Sequence, residues 1–179
     1  MLTYAAPKNL FQWTKLFALY YATFPAAERK RLSTILKMHR RGSVDVWCFM
    51  LDDHFAGFAI TLNGDHHILI DYLVVPQKYR GQGIGAEILS KLRTHYGKRA
   101  IFLEIESAFD PGPDQPLRLR RRHFYEKCGM TSMDLFVWLF EVKMEILNFG
   151  CTMTYEEYVN FYRVYYGQWS TEHIRPAEK

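Results

Sequence analysis

The chain has 179 residues, room for one domain with a full hydrophobic core and a short appendage, but not for two independent domains. About half of it is apolar, with 12 Tyr, 13 Phe and 4 Trp, which excludes a disordered chain and points to a well-filled core. A formal net charge of +4 suits a small polyanionic cofactor and is too small and dispersed for a nucleic-acid surface, and three cysteines without paired spacing give neither a zinc site nor a disulfide framework.

No run of eighteen apolar residues occurs, and the start MLTYAAPKNLFQWTKLF lacks the order of a signal peptide, so a cytoplasmic protein without a membrane partner is expected. After a short strand candidate at Leu2 to Tyr4, the segment Lys8 to Ala22 carries Leu10, Trp13, Phe17 and Tyr20 at helical steps. The stretch FPAAERKRLSTILKMHRR reads as a second helix, opened by Pro25 and stopped by Gly42. From Val44 the character changes. VDVWCFML, HFAGFAITL and HHILIDYLVV are β-rich runs separated by Asp52 and Asp53 and by the turn NGD at 63 to 65, which predicts three antiparallel strands.

Pro76 ends the third run, and GAEILSKLRTHYG is a helix closed by Gly97. AIFLEIE follows as a strand, whose alternation puts Phe102, Glu104 and Glu106 on one face. FDPGPDQP is a proline-rich loop, LRLRRRHFYEKCG a helix, and MTSMDLFVWLFEVKMEIL one or two strands. In TYEEYVNFYRVYYG the aromatic residues 155, 158, 161, 162 and 165 make a helix stripe that either caps the core of residues 1–150 or forms a homodimer seam. His66 and His67 read as turn residues with no second ligand cluster, so no metal is expected. Arg118, Arg120, Arg121 and Arg122 read as a solvated helix face, or as a share in holding a cofactor phosphate or an acidic group of the substrate.

The sequence RGQGIG at 80 to 85 decides the functional class. Gly81, Gly83 and Ala86 satisfy the dinucleotide fingerprint GxGxxA, with Glu104 or Glu106 near the right distance for a ribose contact. Five residues separate Val75 from Gly81, however, where the dinucleotide turn enters its first glycine almost directly, and the upstream hairpin is not a βαβ crossover. No Gly-Lys-Ser/Thr supports a nucleotide P-loop. What remains is a cradle in which Arg80, Gly81, Gln82, Gly83, Ile84 and Gly85 present backbone N–H groups at a positive helix end to a pyrophosphate.

Read as strand, connection, RGQGIG and helix, the segment resembles the acetyl-CoA loop of the GNAT superfamily of N-acetyltransferases, with Arg80, Gly83 and Gly85 on its [R/Q]xxGx[G/A] pattern. HILIDYLVVP resembles that family's fourth strand, AIFLEIE its fifth and HFYEKCGM its FYxxxGF signature, with Met130 in place of the usual Phe; the resemblance covers roughly residues 1 to 150. It implies an α/β fold with a mixed, mostly antiparallel sheet flanked by helices. It also implies transfer of acetyl from acetyl-CoA, as co-substrate, to a primary amine of a small molecule or protein by direct attack on the thioester.

The same resemblance implies roles for residues. Backbone N–H groups around Leu73, Val74 and Val75, freed by a strand bulge, would polarise the thioester carbonyl. Tyr125 matches the tyrosine whose hydroxyl lies near the thioester sulfur and can return a proton to the thiolate. An alkyl ammonium costs about 4 kcal/mol to deprotonate at neutral pH, so a proton acceptor is useful. Glu106, then Glu104, then Asp71 are the candidates; each could equally be a cation-paired carboxylate or part of an acidic patch that attracts the amine. Ser107 could hydrogen-bond the pantetheine arm or cap the strand. A fold relative that binds acyl-CoA without turnover, as a sensor or interaction module, is the alternative.

Overall fold

A computed structural model of the chain describes residues 1–179, the side chain of Ala27 apart. The fold is the mixed α/β one expected, with eight mostly antiparallel strands and six α-helices among the described residues. It divides into two compact units, Met1–Asn63 with Leu69–Gly97, and Gly64–Ile68 with Lys98–Lys179. No helix among the described residues is long and apolar enough to cross a membrane.

The first unit holds β1 (Leu2–Ala5), α1 (Leu10–Thr23), α2 (Leu32–Arg40), β2 (Val44–Leu51), β3 (His54–Asn63), most of β4 (His67–Val74) and α3 (Ile84–Tyr96). Its strands lie in the order β1-β2-β3-β4, with β1–β2 and β2–β3 antiparallel and Val46 opposite Ile60. The β2–β3 turn is Asp52-Asp53 with φ of 46° and 64°, a left-handed pair that aspartate tolerates better than most residues. Leu16, Tyr20, Phe58, Ile60, Ile88 and Leu92 are fully buried, each contributing about 1.5–3 kcal/mol of apolar transfer energy.

Two details differ from the sequence reading. In α1 the buried positions are Leu16 and Tyr20, whereas Leu10 at the head of the expected stripe is 81% exposed. The second helix begins at Leu32 instead of near Pro25, after a single 3₁₀ turn over Ala26–Glu28. Tertiary hydrogen bonds hold the intervening backbone out of the helix: the Tyr72 hydroxyl donates to Glu28 O and accepts from Lys30 N–H, and Tyr20 Oη donates to Lys30 O.

Helix α3 is fixed at its far end by a buried polar cluster. Tyr96 Oη donates to Asp45 Oδ2 at 3.0 Å and accepts from Trp47 Nε1 at 3.1 Å, with Thr61 Oγ1 alongside. Burial pushes the Tyr96 phenol well above its ordinary range. The anchored C-terminus makes α3 a rigid mount for the loop at its N-terminus.

The second unit holds β5 (Ala100–Glu106), α4 (Gln115–Lys127), β6 (Thr131–Leu139), β7 (Val142–Asn148), α5 (Tyr155–Tyr166), the short α6 (Gln168–Thr171) and β8 (Ile174–Ala177). Its strands lie in the order β5-β7-β6-β8, all pairs antiparallel. Helix α6 and strand β8 escape the sequence reading, as does the β6–β7 turn Phe140-Glu141, which adopts φ of 46° and 65° without a glycine. Helix α5 opens with a capping box between Thr154 and Glu157 and buries Tyr158, Phe161 and Tyr162. Phe161 packs edge-on against Phe102, and the Tyr165 hydroxyl accepts from Asp65 N–H.

Candidate functional site

The glycine loop leaves β4 through Pro76 and one 3₁₀ turn, Gln77–Tyr79, which accounts for the five-residue spacer. Two side chains fold back to brace it: Arg80 Nε donates to Val75 O at 3.0 Å, and Gln82 Nε2 donates to Lys78 O at 2.8 Å. Gly81 and Gly83 have φ of +76° and +79°, where any side chain is strained, yet a Cβ at either would meet nothing within 4 Å. Glycine is demanded here by backbone conformation, and the space over the loop is open.

Gly83 is the N-cap of α3 and offers no side-chain acceptor, and its carbonyl takes the first helical bond from Glu87 N–H. The N–H groups of Ile84, Gly85 and Ala86 therefore have no intrahelical acceptor and line the positive end of the helix. This donor set fits a pyrophosphate, which would satisfy several of those groups at once. The braced Arg80 holds the loop while Gly81, Gln82 and Gly83 shape it.

Gly57 on β3 is a positioning residue that the sequence did not single out. A Cβ there would fall 2.5 Å from Val74 O, so the glycine lets the β4 backbone through Leu73 and Val74 pass at close range. The usable signal was an isolated glycine inside a strand pattern.

Asp71 is held by a cation. Both its carboxylate oxygens lie 2.7 Å from Lys30 Nζ, and its side chain is 9% exposed. The cation-paired arrangement is thus present at this carboxylate. Its work is to latch the segment between α1 and α2 onto β4, beside the Tyr20 and Tyr72 hydroxyl bonds.

On β5 the two glutamates have separate fates. Glu104 Oε1 accepts hydrogen bonds from Tyr158 Oη at 2.6 Å and Tyr162 Oη at 2.7 Å, both from buried phenols of α5. Both bonds fall on the same carboxylate oxygen and tie Glu104 to α5. Glu106 is half-exposed, and Arg121 Nη1 approaches it at only 3.5 Å. Ser107 is buried at the strand end, where its N–H donates to Lys143 O and its Oγ accepts from Phe109 N–H, so the capping role is the one observed.

Tyr125 stands on α4, half-buried, its phenol pushed up to about 12 chiefly by burial, while the nearby Arg121 charge acts in the opposite direction. Most of the arginine run on the same helix is engaged inside the unit. Arg118 Nη2 donates to Asp110 O at 2.6 Å, and Arg122 binds both oxygens of the fully buried Glu145, at 2.9 and 3.2 Å, and also Glu126. Arg120 lines a shallow groove on the outer face of α4 with Pro116, Leu119, His123, Phe124 and Lys127. The solvated-face reading thus holds for Arg120 and fails for Arg118 and Arg122.

The Arg122–Glu145 pair sets the seat of α4, and so of Tyr125, on β7. Glu145→Ala leaves a buried guanidinium without its bidentate partner and is expected to cost about 3–5 kcal/mol, read as a lower urea midpoint at unchanged slope. A midpoint equal to that of the wild type would show that α4 is held by its apolar contacts alone.

Among the described residues no group of His, Cys, Asp and Glu is placed to hold a metal ion, and His67 is half-buried with its imidazole held below its ordinary value by burial. The three cysteines are free, and burial pushes the Cys48 thiol up to about 12.

Residues 12–130 match the acetyltransferase (GNAT) family. A curated protein of Bacillus subtilis (strain 168), named "Putative acetyltransferase YjbC", is 36% identical over 98 residues, which are 47% of this chain and 50% of that protein. The match thus spans about half the length of the curated relative. A GNAT-family protein from Bacteroides thetaiotaomicron has a similar structure, with a TM-score of 0.74 at 19% identity over 93% of this chain and 98% of its own. An acetyltransferase from Bacillus subtilis, solved in complex with CoA, has a TM-score of 0.58 at 13% identity over 82% of this chain and 95% of its own. At such identities the structural likenesses speak to the fold.

Proposed function

Because the chain belongs to the acetyltransferase (GNAT) family, we propose that it moves acetyl from acetyl-CoA to a primary amine of a small molecule or protein. The observation that carries the reading is the uncapped N-terminus of α3, entered through two left-handed glycines with open space above them. That arrangement suits the pyrophosphate of acetyl-CoA, and the CoA complex of the Bacillus subtilis protein of similar fold supports the same ligand.

In this mechanism the backbone N–H groups of Leu73 to Val75 polarise the thioester carbonyl, with Gly57 fixing the path of that strand. Glu106 accepts the proton of the incoming ammonium, being the candidate carboxylate with the least committed partner: Asp71 of β4 is paired with Lys30, and Glu104 is committed to two tyrosines. The amine nitrogen attacks the carbonyl carbon and gives its second proton to solvent, the C–S bond breaks, and its electron pair leaves on sulfur. Tyr125 donates its hydroxyl proton to that sulfur and is recharged from solvent. The sum is an amide plus CoA thiol, with no acetyl-enzyme intermediate. The reaction is assigned to the cytoplasm.

A thiol-release assay with acetyl-CoA over a panel of primary amines, from polyamines and aminoglycosides to peptides with free N-termini, tests the reading. CoA release that depends on one class of amine, with stoichiometric amide by mass spectrometry, is the expected result. Tight acetyl-CoA binding with no amine-dependent release would favour a non-catalytic acyl-CoA sensor.

A further inference from the structure

The proposed acid poses a problem of driving force. Burial disfavours the phenolate form of Tyr125, so passing its proton to a thiolate leaves a charge that the buried surroundings do not offset. Something must favour the phenolate at the moment the C–S bond breaks. The groups that act on the Tyr125 hydroxyl are Arg121 and, in the opposite sense, Cys128. Only Arg121 carries a compensating charge.

Arg121 lies four residues before Tyr125, one turn away on the same face of α4, while its guanidinium reaches toward Glu106 of β5. It is unlike its neighbours in the run. Arg118 and Arg122 are committed to Asp110 and Glu145, but Arg121 makes one long contact of 3.5 Å, with side chains 48% and 35% exposed. A pair so loose and wet adds little to stability and breaks readily. Its other property is connectivity, since the guanidinium contacts the proposed base and its charge acts on the proposed acid one helical turn away.

We propose that Arg121 is a positioning residue that couples the two proton transfers: it pairs with Glu106 while that carboxylate is ionised, and its charge is released toward Tyr125 when Glu106 takes the proton of the acceptor amine. Deprotonation of the nucleophile then strengthens the acid. As the C–S bond breaks and its electrons move to sulfur, the proton passes from Tyr125 oxygen to sulfur, and the guanidinium offsets the negative charge left on the phenolate. The order of events suppresses futile thioester cleavage before an amine has arrived. This inference rests on the assignment of Tyr125 and Glu106 in the acetyl-transfer reading.

The test needs no knowledge of the acceptor. The whole chain is titrated calorimetrically with CoA and, separately, with acetyl-CoA, near neutral pH in two buffers of different ionisation heat, and protons released per ligand are compared. Acetyl-CoA has no ionisable sulfur, so the excess for CoA counts the proton lost from the sulfur–Tyr125 pair. The excess is expected to be small in the wild type, to grow in Glu106→Gln, to vanish in Arg121→Gln, and to return in Arg121→Lys. An excess that is the same in all four proteins overturns the coupling while leaving acetyl-CoA binding intact. Failure of both ligands to bind the wild type would overturn the acetyl-CoA reading itself, and the coupling with it.

Discussion

Tyr125→Phe is expected to lower the rate of acetyl transfer about 10²–10⁴-fold while leaving acetyl-CoA affinity unchanged, the range that loss of one general acid commands. The substitution removes a single oxygen from a half-buried ring and keeps the ring's edge-on contact with Phe124, so the helix keeps its packing. The phenol sits near 12, and the neutral, proton-bearing form therefore persists well above the ordinary tyrosine value. The acid limb contributes no alkaline fall in kcat through pH 10, where an unshifted phenol would be half ionised. A wild-type alkaline limb near 10 that disappears in Tyr125→Phe would show that the hydroxyl titrates freely and would remove the argument for Arg121. An unchanged rate in the variant would assign the proton to solvent.

Gly83→Glu is expected to weaken acetyl-CoA binding by at least about 100-fold, or about 2.7 kcal/mol, without unfolding the chain. Two effects add at this position. The residue is the N-cap of α3 with φ of +79°, so a side chain imposes left-handed strain of about 1 kcal/mol, and the new carboxylate stands at the positive helix end where the pyrophosphate belongs. The fold tolerates it because a Cβ there meets nothing within 4 Å. Gly85→Glu, one residue into the helix, shares the electrostatic effect. Circular dichroism and the thermal midpoint serve as the control, and normal acetyl-CoA binding by a folded Gly83→Glu would refute the cradle.

The shape of the glycine loop was legible because its information is local. A strand end, a spacer, glycines and a helix start follow one another within Val74 to Ile84, and their spacing alone separates this loop from a dinucleotide turn. The strands β2 to β5 and the helix α3 were legible for the same reason, since alternation and turn residues mark them. Helix α2 was misjudged at its start because Tyr20 and Tyr72, distant in sequence, claim the backbone of Glu28 and Lys30. Propensity along the segment carries no trace of those partners.

The carboxylates show the same limit more sharply. Period-two alternation correctly puts Glu104 and Glu106 on one face of β5, but it cannot say that Tyr158 and Tyr162, over fifty residues away, close on the first and not the second. Nor does composition tell a committed arginine from a spare one. Arg122 and Arg121 are adjacent, yet helical geometry turns one toward buried Glu145 and the other toward half-exposed Glu106. The partners in the second unit, Lys143 to Asp110 and Arg122 to Glu145, emerge only once β7 is laid beside β5.

The most direct test of the central claim is calorimetric titration of acetyl-CoA into the wild-type chain. Saturable one-to-one binding is predicted, weakened by added pyrophosphate, which competes for the N–H groups of Ile84, Gly85 and Ala86. The absence of any saturable binding of acetyl-CoA or CoA by the folded chain would contradict both the cradle and the acetyl-transfer chemistry built upon it.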